Sequence, residues 1–364
     1  MTQTSIPYVF MRGGTSRGPY FNAKDLPADR ETLANVLVSV LGSGQPNNID
    51  GMGGGTAVTT KVAILSKSND DWADIDYFFA QVSVDDQLVD FKPSCGNMLS
   101  GVGPAAIEMG LYQPTSDTSD IRIRAVNTGA RIVASLITPN AQVTYEGDAT
   151  IAGVNGTAAP IQLKFMEIVG AATGEFLPTG KLVDVIDGIE VTCMDVAMPM
   201  AIARAEDFGL SGYESATELD ANKTFFAKME QVRCEAGRLM GMGDVSKSVT
   251  PKFGLVSAPR RGGSLNTRYF MPWNTHPSMA VTGAQCLATC LLTPGTVANN
   301  LLEKPMASPA IVTLEHPSGQ MDVAVEFEQG EQFKLISGGT LRTARKIADG
   351  QVYVPSDIWN GGSR

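Results

Sequence analysis

The segment Pro93-Ser94-Cys95-Gly96-Asn97-Met98 decides the fold of this chain, because it leads from a turn directly into an apolar helix pattern. Small and apolar residues continue at helical spacing to Gly110, which predicts a helix over residues 98–110. Pro104 interrupts the pattern and is expected near the helix start or at a kink. The thiol of Cys95 would then lie at a helix N-terminus, where the helix dipole and free amides favour the thiolate.

The amides at Gly96 and Asn97 can also bind a carboxylate, because the first N–H groups of a helix have no partner within it. The alternative interpretation of Cys95 is a buried structural cysteine. That interpretation suits the four other cysteines better, because each lies inside a strand or helix pattern: Cys193, Cys234, Cys286 and Cys290. The position of Cys95 between a serine and a glycine at a helix start favours a functional role.

A second segment of the same kind, residues 274–284, leads into an apolar helix pattern over residues 281–292. It offers backbone amides at Thr282 and Gly283 and the side chain of His276, although a lone histidine more often has a structural role. Short runs rich in Val, Ile, Thr, Tyr and Phe surround both helices and predict strands. Each half therefore combines many strands with one apolar helix, and the halves resemble distant duplicates.

This pattern predicts an α+β protein with two pseudo-duplicated strand-rich domains, residues 1–175 and 176–364. The break is expected within residues 171–181, which carry two glycines and a proline. The last strands of the chain are candidates for pairing with strands of the first domain. A chain of 364 residues with 43% hydrophobic residues can bury a core in each domain.

The charge of the chain and its distribution bear on the kind of partner that it can bind. The net charge is −10, and the 28 Lys and Arg residues are dispersed, which argues against nucleic acid binding. An acidic protein that binds an anion must do so locally, through an arginine, a lysine or a ring of amides.

The sequence starts without a signal-like segment and contains no apolar run long enough to span a bilayer, so a cytoplasmic location without membrane contact is expected.

The sequence offers little support for a disulfide framework or a metal site. The five cysteines form no Cys-x-x-Cys pair, and the two histidines, His276 and His316, are far apart in sequence. We therefore expect no metal, and no phosphate-loop or dinucleotide motif is present.

Two glycine-rich segments of the first half are candidate parts of a site. Residues 11–18 contain Arg12, Thr15 and Ser16 beside paired glycines, which let the backbone approach a ligand closely. A plain hairpin turn is an equally good interpretation of this segment. Residues 50–61 end at Lys61, directly before an apolar strand, where the charged form of a lysine is disfavoured and the amine can act as a base. An ordinary surface lysine is the more common situation at such a position.

Taken together, these segments resemble the PrpF-type family, which includes 2-methylaconitate cis–trans isomerase and belongs to the diaminopimelate-epimerase-like fold. The resemblance covers almost the whole chain and includes residues 11–18, 50–61, 95–104 and 281–284. Within the family, the motifs look most similar to the 4-oxalomesaconate tautomerases and Δ-isomerases of aromatic catabolism. The resemblance implies a cofactor-independent 1,3-allylic proton shift in a small unsaturated di- or tricarboxylic acid.

The resemblance also implies an arrangement of the site. Each domain would wrap strands round a central helix, and both helix N-termini would point into the cleft between the domains. Lys61 and Cys95 would be the catalytic acid and base, in an order that the sequence leaves open. The implied substrate-binding residues are Arg12, Thr15, Ser16, Gly96, Asn97, Met98, Arg268, His276, Thr282 and Gly283. The analogy with this fold suggests a homodimer, and no other feature of the sequence bears on the oligomeric state.

One departure separates this chain from the epimerases of the fold. Those enzymes place a cysteine at the start of both central helices, whereas the position that matches Cys95 in the second half is Ala280. A two-thiol amino-acid racemase or epimerase is therefore disfavoured. A non-enzymatic polycarboxylate-binding protein would use the same amides but would not need Lys61 together with Cys95.

Overall fold

The computed structural model describes residues 3–151, 153–271, 273–302, 304–330 and 332–362. Within these residues the helices are α1 Arg30–Leu41, α2 Gly96–Leu99, α3 Val102–Glu108, α4 Ala216–Ala221, α5 Lys223–Leu239 and α6 Val281–Leu292. The strands are β1 Gln3–Gly13, β2 Ser16–Asn22, β3 Lys61–Lys67, β4 Ile75–Val82, β5 Val89–Asp90, β6 Thr118–Ala125, β7 Arg131–Ile137, β8 Ile161–Met166, β9 Asp184–Ile186, β10 Ile189–Asp195, β11 Pro199–Arg204, β12 Lys252–Ser257, β13 Leu265–Phe270, β14 Ala310–His316, β15 Gly319–Gln329, β16 Phe333–Arg342 and β17 Ala344–Pro355.

The chain divides into two compact units. Unit 1 comprises Met1–Lys164 and Leu341–Arg364, and unit 2 comprises Phe165–Thr340. The last strand, β17, therefore belongs to unit 1, where it pairs antiparallel with β1 along almost its whole length. The chain leaves unit 1 after Lys164, earlier than the boundary between residues 175 and 176 that glycine and proline content predicts.

The pairings between neighbouring strands of unit 1 alternate between antiparallel and parallel. β1 pairs antiparallel with β2, β2 parallel with β3, β3 antiparallel with β4, β4 parallel with β6, and β6 antiparallel with β7. Helix α1 lies in the crossover from β2 to β3 and buries Leu33, Val36, Leu37 and Val40. Asp29 caps the start of α1 by accepting from the Thr32 N–H, and Gly42 ends it in the left-handed conformation.

Unit 2 repeats this path in the same order. β10 pairs antiparallel with β11, β11 parallel with β12, β12 antiparallel with β13, β13 parallel with β14, and β14 antiparallel with β15. Helices α4 and α5 occupy the crossover that α1 occupies in unit 1. The predicted α+β fold with a pseudo-duplicated organisation is confirmed by this shared strand path.

Each unit also holds an apolar helix against its strands. Helix α6 contacts β10, β11, β13, β14 and β15, and every residue from Gly283 to Leu292 is buried. In unit 1 the equivalent helix is divided into α2 and α3, which contact β1, β2, β3 and β7. The break precedes Pro104, which lacks the N–H that a continuous helix would need there. The predicted interruption by Pro104 is confirmed.

Some elements have a less clear sequence pattern. Asn222 separates α4 from α5, and its side chain caps α5. Strands β2 and β17 are hard to recognise in the sequence, because glycine, proline or charged residues interrupt their apolar alternation. Among the described residues, no helix is long and apolar enough to cross a membrane.

Candidate active site

Lys61 is the first residue of β3, and strand register places it opposite Gln81 of β4. Its side chain is half-buried, and Nζ lies 2.5 Å from Oε1 of Gln81 and 5.3 Å from the ring centroid of Phe79. No carboxylate forms an ion pair with Lys61 in the described part of the chain. The amine therefore meets a neutral acceptor and an aromatic face rather than a counter-ion.

Cys95 is the N-cap residue of α2, and its side chain is half-buried. Its carbonyl oxygen accepts hydrogen bonds from the Leu99 N–H at 2.9 Å and from the Tyr77 hydroxyl at 3.2 Å. The Cys95 side chain makes no capping hydrogen bond, so the thiol is not used to hold the helix. Because α2 has only four residues, the orphan N–H groups of Gly96, Asn97 and Met98 matter more here than a helix dipole.

Two buried tyrosines support the Cys95 segment. The Tyr77 hydroxyl holds the Cys95 carbonyl, and the Tyr20 hydroxyl donates to the Met98 carbonyl at 2.5 Å. Burial raises the pKa of both phenols well above the ordinary value, and the neighbouring Cys95 raises it further. Both tyrosines are therefore neutral donors that fix the backbone round the thiol.

Alternate residues of β4 bring Lys61 and Cys95 to one face of the unit 1 sheet. Tyr77, Phe79 and Gln81 are two residues apart, so their side chains point to the same face. Tyr77 holds the Cys95 backbone at one end of this row, and Phe79 and Gln81 contact the Lys61 amine at the other. The ring centroids of Tyr77 and Phe79 are 6.4 Å apart.

The first glycine-rich segment packs against the Cys95 segment. A Cβ at Gly14, which has φ +52°, would overlap the Asn97 side chain, and one at Gly18 would overlap the Lys61 carbonyl. The Asn97 amide donates to the Thr15 hydroxyl at 3.0 Å. These two positions need glycine because the backbone approaches its neighbours too closely for a side chain. The hairpin therefore lies beside both Lys61 and Cys95.

Ser16 and Arg12 have different environments within this hairpin. The Ser16 hydroxyl is buried and has no hydrogen-bond partner among the described residues. Arg12 donates to the carbonyl oxygens of Gly14 at 2.9 Å and Thr343 at 3.0 Å, and burial, followed by the nearby Arg345, lowers its pKa. The structure thus shows Arg12 supporting the hairpin backbone, while the predicted binding of substrate by Arg12 and Ser16 stays a prediction.

Unit 2 places Ala280 where unit 1 places Cys95. Ala280 is the N-cap residue of α6, and Thr282 is the second residue of that helix, as Asn97 is of α2. The Thr282 hydroxyl lies 3.5 Å from Sδ of Met198, in the hairpin between β10 and β11. Gly283 packs so closely on the Tyr269 ring that a Cβ would overlap it. No second thiol is therefore found at this position.

His276 lies near the start of α6, whereas Arg268 does not. The His276 ring packs edge-on against Tyr269, with 5.7 Å between centroids, and its Nδ1 accepts from the Ser278 N–H at 3.0 Å. Arg268 precedes Tyr269 in β13, so its side chain points to the opposite face of the strand. There its Nε donates to the Glu214 carbonyl at 2.7 Å. The structure does not bring Arg268 together with His276, Thr282 and Gly283.

Because of its two histidines, we expect the free energy of unfolding of this protein to depend on pH. Burial lowers the pKa of His276 and His316, so the unfolded chain binds protons at a higher pH than the folded chain does. Stability should therefore decrease as the pH falls below about 6.5, the unperturbed histidine value. Guanidinium unfolding at pH 7.5 and 5.5 measures this loss. We expect a smaller loss in a His316→Gln variant; an equal loss in both proteins would contradict the assignment.

Sequence reasoning missed the residues that hold the catalytic candidates in place. Tyr20, Tyr77, Phe79 and Gln81 belong to strands, where apolar and aromatic side chains usually indicate core. The alternation of Tyr77, Phe79 and Gln81 is visible in the sequence, but its meaning depends on the register of β4 with β3. No cluster of three or more His, Cys, Asp or Glu side chains suited to a metal ion is found in the described ranges.

Comparisons with known proteins find relatives that are named isomerases or tautomerases. The YbhH protein of Escherichia coli strain K12, whose name proposes an isomerase without a substrate, is 47% identical over 96% of this chain and 99% of its own length. The 4-oxalomesaconate tautomerase of Pseudomonas putida is 44% identical over 99% of both chains. A crystal structure of methylitaconate-delta-isomerase superposes with a TM-score of 0.90, at 33% identity, over 98% of this chain and 97% of that one.

These relatives and the fold define the class of this protein, which is an isomerase. The chain belongs to the family described as PrpF protein, which it matches over residues 3–355. The predicted family and the predicted enzyme class are both confirmed.

Proposed function

We propose that this isomerase catalyses a cofactor-independent 1,3-allylic proton shift in a small unsaturated polycarboxylic acid, and that its substrate is 4-oxalomesaconate. The observation that carries the proposal is the placement of Lys61 and Cys95 by one row of β4 side chains. The choice of substrate rests on the 44% identity, over 99% of both chains, to the tautomerase named for that acid.

The reaction needs one group that takes a proton and one that supplies it. Lys61, as the neutral amine, removes a proton from the carbon next to a C=C bond that is conjugated with a carbonyl. The C–H electrons form a new C=C bond, the original one shifts toward the carbonyl, and a dienolate results. Cys95 then gives its proton to the far carbon, which restores the carbonyl and leaves the double bond displaced. Transfer of a proton from the lysine ammonium to the thiolate resets the enzyme.

The dienolate carries negative charge that the first turn of α2 can stabilise. Orphan N–H groups at Gly96, Asn97 and Met98 act there as fixed donors, in the manner of an oxyanion hole. The exposed Thr15 hydroxyl and the buried, unpartnered Ser16 hydroxyl are additional donors for a substrate carboxylate.

A second candidate is a 2-methylaconitate- or aconitate-type isomerisation on the same site. The observation that favours it is the 0.90 TM-score with methylitaconate-delta-isomerase, because the same fold serves a differently substituted acid in that protein. The proton shift and the roles of Lys61 and Cys95 would be unchanged, and only the carboxylate contacts would differ.

The test is incubation of the pure protein with 4-oxalomesaconate, 2-methylaconitate and trans-aconitate in deuterated water, followed by proton NMR. We expect allylic deuteration and movement of the double bond in 4-oxalomesaconate. Turnover of another acid alone would replace the substrate, and inversion of a stereocentre without a displaced double bond would indicate a racemase. Binding of an acid without any exchange would indicate a binding protein and would contradict the proposal.

A further inference from the structure

Gln81 makes an unusual set of contacts beside Lys61. Its Nε2 lies 3.2 Å from each of three backbone carbonyl oxygens, those of Ala57, Thr60 and Val82, which share its two N–H donors. Its Oε1 accepts from Lys61 Nζ at 2.5 Å. A glutamine side chain on a strand usually points to solvent, whereas both ends of this amide are occupied.

These contacts determine the orientation of the amide. If the group were flipped, Oε1 would face three carbonyl oxygens with no hydrogen between them. That arrangement is repulsive whether or not Lys61 is protonated, so the oxygen must point to Lys61. The hydrogen-bond partners therefore settle the positions of nitrogen and oxygen.

A neutral acceptor at this position has a chemical consequence. A carbonyl-type oxygen accepts a hydrogen bond from an ammonium and from a neutral amine, because both carry N–H groups. A carboxylate would instead favour the ammonium strongly and hinder its return to the amine. Gln81 can thus hold Lys61 through a full cycle of proton uptake and release.

We propose that Gln81 is the positioning residue for Lys61: it fixes the amine above the Phe79 ring and keeps it able both to take and to give a proton. This inference rests on the proposed proton transfer by Lys61. The carbonyl oxygens of Ala57 and Thr60 belong to the glycine- and threonine-rich loop before β3, so Gln81 also ties that loop to the amine. Asparagine is too short to bridge the loop and Lys61.

The test compares Gln81→Met, which keeps the length without the acceptor, with Gln81→Glu, which adds a charge. Gln320→Met is the matched control, because the Gln320 amide also donates to a backbone carbonyl, that of Arg261 at 3.0 Å, but lies in unit 2. Two readouts are needed: steady-state kinetics on the converted acid, and the pH profile of Lys61 acetylation by acetic anhydride, followed by peptide mass spectrometry.

We expect Gln81→Met to lower kcat about tenfold or more with a change in KM of less than about threefold, and to move the acetylation profile of Lys61 to lower pH. Gln81→Glu should move that profile to higher pH by about one unit and shift the acidic limb of the rate profile in the same direction. Gln320→Met should match the wild type in both readouts.

An acetylation profile of Lys61 that is identical in the wild type and both Gln81 variants overturns the inference, as does an equal fall of kcat in Gln320→Met. If Gln81→Met does not fold, the Gln81→Glu profile decides alone. Acetylation requires no substrate, so a wild type that converts none of the acids would end the proposed function while the role of Gln81 is still tested.

Discussion

Replacing Lys61 by alanine should lower kcat/KM on the converted acid by about 10³-fold or more, because positioned acid–base groups commonly contribute 10²- to 10⁴-fold. The loss should appear mainly in kcat, since the amine acts on the reacting proton and not on the substrate carboxylates. Stability should change little, because Lys61 is half-buried and its hydrogen bond ends on a neutral amide. Steady-state kinetics and a denaturation midpoint measure the two effects.

Lys67→Ala is the control for this prediction. Lys67 ends the same strand that Lys61 begins, and its side chain is exposed. We expect it to retain the wild-type rate. Equal activity of the Lys61 variant and the wild type would remove Lys61 from the mechanism and leave the fold and family unaffected.

Replacing Cys95 by alanine should lower the rate of double-bond movement by about 10²-fold or more, because the variant lacks the second proton-transfer group. The helix start should survive, since the Cys95 side chain makes no capping hydrogen bond and its carbonyl contacts belong to the backbone. Proton NMR of product formation measures the loss. Cys234→Ala is the control, because Cys234 is also half-buried and lies on α5 in unit 2.

The two variants together assign the order of proton transfer. If Lys61 removes the first proton, Cys95→Ala should still exchange that substrate proton with deuterated water while forming almost no product. Lys61→Ala should then lose both exchange and product. The reverse pattern would make Cys95 the base and Lys61 the acid, and retention of full product formation in Cys95→Ala would exclude the thiol from the reaction.

The local features of the fold could be predicted from the sequence because they depend on neighbouring residues. Helix α6 has the predicted bounds, since a run of apolar residues at a clear period needs little tertiary support. Pro104 predicts the break between α2 and α3, because a proline removes a backbone N–H and so disrupts a helix locally. Strand β11 could not be predicted, because both of its faces are buried by partners far away in the sequence.

The features of the candidate site also fall into those that neighbouring residues determine and those that depend on the tertiary structure. By itself, the sequence determined the helix-start position of Cys95, the strand-start position of Lys61 and the alanine at the equivalent start of α6, because each depends on residues directly beside it. Only the tertiary structure decided that Tyr77, Phe79 and Gln81 join Lys61 to Cys95, and that Arg268 faces away from α6. Those relations depend on strand register, and a shift of one residue would turn every side chain to the opposite face.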